Sequence, residues 1–161
     1  MAFAYAKEDG YIKATETITV AANSSGGAVE TSGSSLPCTG SQIVLAQADE
    51  ATNITAKVQY TMDSGQDVTI GGVGADPSAA LSSSSQTWYD AKATEGDAET
   101  GLTADDTLEA FLLPKNAQYV KIVMIAANGY GGGSEATELW LDGVKSDLGF
   151  SISGAIGADP S

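Results

Sequence analysis

The chain has 161 residues, 21 acids against seven lysines, no arginine, no histidine and one cysteine, for a net charge of −14. Without histidine, Ser-His-Asp, Cys-His and His-ligated zinc chemistry cannot be built. Without arginine or a basic patch, the usual grip on phosphate, nucleic acid or an anionic membrane is missing; no catalytic group, cofactor or metal is expected.

Met1 to Tyr5 runs into Lys7, Glu8 and Asp9 without the basic and apolar regions of a signal peptide. No apolar run nears the roughly 20 residues that cross a bilayer, so synthesis in a cytoplasm is expected. Residues 1–14 read as an N-terminal arm or edge segment, in which Phe3, Tyr5, Tyr11 and Ile12 could order on a neighbour. Residues 15–21 alternate with β-branched side chains and stop at the Asn23–Gly27 loop. Cys38 has no partner for a disulfide, and its neighbours Pro37 and Gly40 place it as a loop thiol. Residues 42–46 form a short apolar run.

Residues 53–62 are the cleanest strand. Ile54, Ala56, Val58, Tyr60 and Met62 share a core face, with Thr55, Lys57, Gln59 and Thr61 on the solvated one. Asp63-Ser64-Gly65-Gln66-Asp67 then turns the chain into 68–70. Calcium takes about six to eight oxygens, and neither this stretch nor Asp105-Asp106 completes the alternating ligands and closing bidentate Glu of an EF-hand loop, so a polar turn is the expected reading. Residues 71–85 are rich in Gly, Ala and Ser. Residues 86–89 read as a short strand carrying Trp88, and 90–110 as a solvated acidic loop or edge whose stretch after Gly101 is the best helix candidate. The echo of 73–78 in 156–161 is two copies of a turn, too few for a repeat architecture.

Residues 119–127 are apolar at nearly every position, interrupted only by Lys121. Such a strand must be covered on both faces. Val120, Ile122, Met124 and Ala126 form one face, and Tyr119, Lys121, Val123 and Ile125 the other. One face belongs to the core. The second meets either a loop such as 71–100 or another protein, which makes Tyr119, Val123 and Ile125 candidate contacts. Residues 128–134 are a hairpin connection lacking the Lys-Ser/Thr ending of a phosphate loop. Residues 137–141 return as a strand with Leu139 and Leu141 inward. Glu138, Trp140 and Asp142 fall outward, as a solvated face rather than a glycosidase pair.

About eight short strands separated by Gly, Ser and Asn turns define an all-β protein, an antiparallel β-sandwich or jelly roll with long Gly/Ser-rich and acidic loops and little or no helix. The expected organisation is one domain over 15–145, followed by a C-terminal tail over 146–161.

The order of an alternating strand ending in Asp63-Ser64-Gly65, then Trp88, then Leu113-Pro114-Lys115-Asn116-Ala117-Gln118-Tyr119-Val120-Lys121-Ile122 resembles the jelly-roll cement, or decoration, proteins of tailed-bacteriophage capsids. The resemblance spans about 55–142 and is a pattern of strands. Lys121 stands where an arginine is more usual. It implies a small non-enzymatic β-sandwich that binds the outer surface of the capsid shell and associates there as a homo-oligomer, a dimer or trimer. The expected location is the virion exterior, the expected partners are the major capsid protein and the chain itself, and nucleic acid and membrane are not expected. The same pattern is also similar to carbohydrate-binding jelly rolls of the discoidin kind. On that alternative Trp88, Tyr130 and Trp140, with Tyr89 nearby, are the candidate glycan-stacking residues.

Overall fold

The computed structural model describes residues 3–8, 10–38, 43–49, 51–63, 86–93, 101–102 and 108–141. The expected strand 68–70, the loop 71–85, Asp105-Asp106, Asp142, both copies of the echoed turn and the tail 146–161 lie outside them.

Among the described residues there is no helix and there are twelve strands: β1 Ala4–Glu8, β2 Tyr11–Val20, β3 Val29–Ser32, β4 Leu36–Pro37, β5 Ile43–Ala48, β6 Ile54–Thr61, β7 Tyr89–Asp90, β8 Lys92–Ala93, β9 Gly101–Leu102, β10 Glu109–Leu112, β11 Tyr119–Ala126 and β12 Gly133–Leu141. They form two antiparallel sheets packed as a β-sandwich. The larger has the order β1-β2-β12-β5-β10-β8, and the smaller β3-β11-β6-β7, with β4 also on β11 and β9 also on β6.

The long strands form where alternation gives each one apolar face. Ile12, Ala14, Ile18 and Val20 of β2 are buried, as are Val44, Ala46 and Ala48 of β5 and Leu139 and Leu141 of β12. Opposite them lie Ile54, Ala56 and Val58 of β6 and Val120, Ile122, Met124 and Ala126 of β11. The turns are set by backbone chemistry. Asn53 sits at φ 63° before β6, and Gly129 at φ 93° before β12, values that glycine and asparagine adopt more readily than other residues.

Two sequence boundaries move. Residues 11–14 are not arm but the start of the continuous strand β2; the edge segment is β1 alone. Gly101–Leu102 pairs with β6 as β9, and residues 103–107 of the helix candidate lie outside the described residues. Met62, assigned to the core face, lies past the end of β6 and is 40% exposed. Cys38 lies just past β4 and outside any strand, as expected of a loop thiol. It is fully buried, its N–H donates to Gln118 O (3.0 Å), and burial pushes its thiol up to about 12.

Neighbouring residues on β10 point to opposite sides, which gives a direct check on the sandwich. Phe111 is fully buried whereas Leu112 is 53% exposed. Phe111→Ala is expected to lower the urea-unfolding free energy by about 3–5 kcal/mol, and Leu112→Ala to change it by about 0.5 kcal/mol or less. Equal costs would contradict the assignment of faces.

Candidate functional site

The outer face of the larger sheet collects the chain's unexplained apolar side chains. In an antiparallel ladder, directly paired residues share a face. Lys13 pairs with Trp140, Trp140 with Leu45, and Leu45 with Ala110, so these four make one row across β2, β12, β5 and β10. Ile43 pairs with Leu112 and Leu112 with Lys92, making a second row beside it. All are half-buried or exposed, while the inner neighbours Val44, Phe111, Leu139 and Leu141 are buried.

Trp140 is held in place from three sides. Its Nε1–H donates to Glu138 Oε2 (3.0 Å), and Glu138 Oε1 lies 3.4 Å from Lys13 Nζ. That ammonium stands 5.1 Å from the indole centroid, and Tyr11 meets the ring edge-on at 6.3 Å. The geometry is that of a cation–π contact with an aromatic edge pair. The side chains described on these two rows carry only the lysines Lys13 and Lys92, with Glu138 in the adjoining row, on a chain of net charge −14. A shallow concavity of about 460 Å³ adjoins the cluster, lined by Ala4, Thr15, Thr17, Ala136 and Glu138 among others.

The outer face of the smaller sheet is closed differently. Val123, a candidate contact, is 1% exposed. Its ladder neighbours are Ser32 and Lys57, and Lys57 Nζ bonds Glu30 at 2.7 Å and Asp90 at 3.5 Å. The Glu30 hydrogen bond first, with the charge of Asp90, raises the Lys57 pKa against the opposing effect of burial. Gln59 Nε2 donates to Asp90 as well (2.8 Å). Trp88 lies over Lys121, with the ammonium 4.1 Å from its ring centroid. Burial lowers the Lys121 pKa, Glu30 opposes that and Lys57 adds to it. Val123 is therefore withdrawn as a contact, because its own chain already covers it. Tyr119 and Ile125 remain half-buried on that face.

The other sequence candidates separate in the same way. Ile12 is 1% exposed and packs in the core, so it cannot meet a neighbour. Phe3 packs partly against the core, and Tyr5 is 47% exposed beside it, with ring centroids 6.1 Å apart. Tyr11 joins the Trp140 cluster. Tyr130 is withdrawn as a stacking residue. It is 5% exposed, and its hydroxyl donates to the buried Glu135 carboxylate. Both tryptophans carry a lysine ammonium over the ring, which occupies a face that a sugar would use. Tyr89 is exposed and stacks on Tyr60 at 5.8 Å.

Ile43, Leu45 and Leu112 were missed as surface residues. The signal was present, since residues 43–46 are apolar at consecutive positions and thus on both faces, as residues 119–127 are. No family model, curated protein or solved structure matches this chain.

Burial and the Glu135 hydrogen bond push the Tyr130 hydroxyl up to about 12 from 10.0. The neutral form is favoured in the folded state, so its stabilising effect is complete below pH 10 and is lost as pH rises towards 12. Unfolding followed against pH is expected to show an alkaline loss of stability that Tyr130→Phe reduces. An unchanged profile in the variant would contradict this assignment.

Proposed function

We propose that the chain is a non-enzymatic structural protein of a phage particle, a cement protein of the jelly-roll kind that binds the exterior of the capsid and associates there with copies of itself. The observation that carries the reading is the outward apolar row Trp140–Leu45–Ala110 with Ile43 and Leu112 beside it. Three adjacent strands, β12, β5 and β10, hold these side chains on a rigid, hydrogen-bonded surface, and no described strand lies over them. A contiguous apolar patch of this kind on a soluble domain marks an interaction site. Its described charges are Lys13, Lys92 and the one acid Glu138, so an acidic chain can bring these side chains against another protein with little like-charge repulsion.

The sequence resemblance supports the choice of partner, the major capsid protein. A specific contact needs about 1,000 Å² or more of total buried surface, and repeated copies on one shell add avidity. Neither nucleic acid nor membrane is a partner on this reading, and the protein resides on the virion exterior after synthesis in the host cytoplasm.

A second reading, a carbohydrate-binding module, draws on Trp140 with Glu138 and Tyr11 next to the open concavity. It is weaker because Lys13 takes one ring face and Glu138 takes the indole N–H.

Cosedimentation with cognate capsids separates the two. The wild-type protein is expected to pellet with particles. The double variant Leu45→Lys, Leu112→Lys is expected to bind about tenfold or more weakly, a loss of about 1.4 kcal/mol, with its unfolding midpoint retained. A protein that ignores capsids, is retained on a glycan column and is released by Trp140→Ala would establish the second reading instead.

A further inference from the structure

A groove of about 330 Å³ runs along the side of the sandwich, between residues 16–19 of β2 and residues 31–34 at the end of β3. Both walls are open strand edges among the described residues. β1 pairs with β2 only as far as Thr15, so beyond that point β2 has a described partner, β12, on one side alone. β3 is the edge strand of its sheet. Thr17, Thr19, Thr31, Ser32 and Ser34 make the lining rich in hydroxyls.

Glu16 is the unusual member of this lining. It shares the inward parity of Ala14 and Ile18, so alternation sends a carboxylate towards the space between the sheets. It is 7% exposed on a face whose other β2 residues, Ile12, Ala14, Ile18 and Val20, are apolar. Its Oε1 accepts from the Ser34 N–H (2.8 Å), and Gly33, having no Cβ, leaves room for it. Oε2 is buried and has no hydrogen-bond partner among the described residues. Leaving such an atom unpaired is costly, and most buried polar groups in folded proteins are paired. The missing partner is a donor, because an ionised carboxylate only accepts.

The neighbouring groups narrow the class of that donor. The Gly33 N–H donates to Ile122 O of β11 (2.8 Å). Backbone groups of successive residues point to opposite sides of a strand, so the Ser32 carbonyl points away from β11. That is the side on which the Ser34 N–H meets Glu16. Oε2, this carbonyl and a hydroxyl match a primary ammonium, which has three donors and no acceptor. A guanidinium brings five donors in one plane and asks for more acceptors. Among the described residues no three acidic or thiol groups converge on a metal position, and calcium takes about six to eight oxygens. No described aromatic ring lines the groove to stack on a sugar. The net charge of −14 also draws cations to the surface.

We propose that this groove is a binding site for a primary alkylammonium group, held by a charge-assisted hydrogen bond to Glu16 Oε2 and by the Ser32 carbonyl. A small free amine and a lysine side chain of another protein carry the same chemistry.

Titration of the isotope-labelled full-length protein with butylammonium chloride at neutral pH, followed through its backbone amide resonances, tests the proposal. The Ser32 and Ser34 amides are expected to shift saturably while the Val58 amide of the core stays fixed. Glu16→Gln is expected to weaken binding about tenfold or more. Thr31→Lys places an ammonium of the chain's own in the groove and is expected to abolish binding in a folded protein. Tetramethylammonium carries the charge without an N–H and is expected not to compete. Nα-acetyl-lysine amide separates the sources. Tighter binding than butylammonium identifies a lysine on a peptide, whose amides pair with the open edge of β3, and weaker binding identifies a free amine. Absence of a saturable shift in the wild type would overturn the proposal. So would wild-type affinity in Glu16→Gln or Thr31→Lys, or equal binding of tetramethylammonium, because charge alone would then account for the effect.

Discussion

The packing of β11 against the larger sheet is the constraint on which the molecule depends. β11 pairs with β6 over its whole length on one side and with β3 and β4 on the other. Its inward residues Val120, Ile122, Met124 and Ala126 are each 1% exposed or less. Burying each such side chain contributes about 1.5–3 kcal/mol for the larger ones, and the ladders on both flanks fix its register. Once β11 is fixed, β6 and β3 have only one way to present their alternating faces, because a slip of one residue would send every inward side chain to solvent. The outer surfaces of both sheets inherit their geometry from that registration.

One end of the sandwich is polar inside, and its groups account for one another almost completely. Asn23 is 4% exposed. Its side-chain amide donates to Gly27 O and Ala126 O, its Oδ1 accepts from Ser25, and its backbone N–H donates to Tyr130 O. Tyr130 in turn holds Glu135. The Thr137 hydroxyl donates to Glu16 O (3.2 Å), and a Cβ at Gly33 would fall on Glu16 Oε1, which explains glycine there. Such a network stabilises only while satisfied. It also ties the β2–β3 connection and the turn before β12 to each other.

Much of this was legible in the sequence where one apolar face alternates with one polar face. β6 and the inward side of β12 are the clear cases, since Leu139 and Leu141 point in and Glu138 and Trp140 out, as alternation requires. β1, β3 and β4 were not legible. They are short, and Val29-Glu30-Thr31-Ser32 is mostly solvent-exposed, so no burial pattern is written into it; its pairing is imposed by β11. Ile12 was misplaced because aromatic and aliphatic residues near a terminus look the same whether they are arm or strand, until the pairing of Ile12 with Leu141 is known. Val123 is open in the sequence between cover by its own chain and by a partner, and it is buried within its own chain. An apolar residue on an outward face can be covered by its own chain, and Val123 is 1% exposed between its ladder partners Ser32 and Lys57. The true apolar surface, across β12, β5 and β10, arises from residues far apart in sequence that only the strand order brings together.

On the proposed reading, one face binds the shell and the other is closed by its own ion pairs and Trp88. Hydroxyl-radical footprinting of side chains in free and capsid-bound protein tests that division most directly. The account predicts that Leu112, Trp140 and Tyr11 lose reactivity on binding while Trp88 and Tyr119 keep theirs. Protection of Trp88 and Tyr119 with Leu112 and Trp140 unchanged would contradict it.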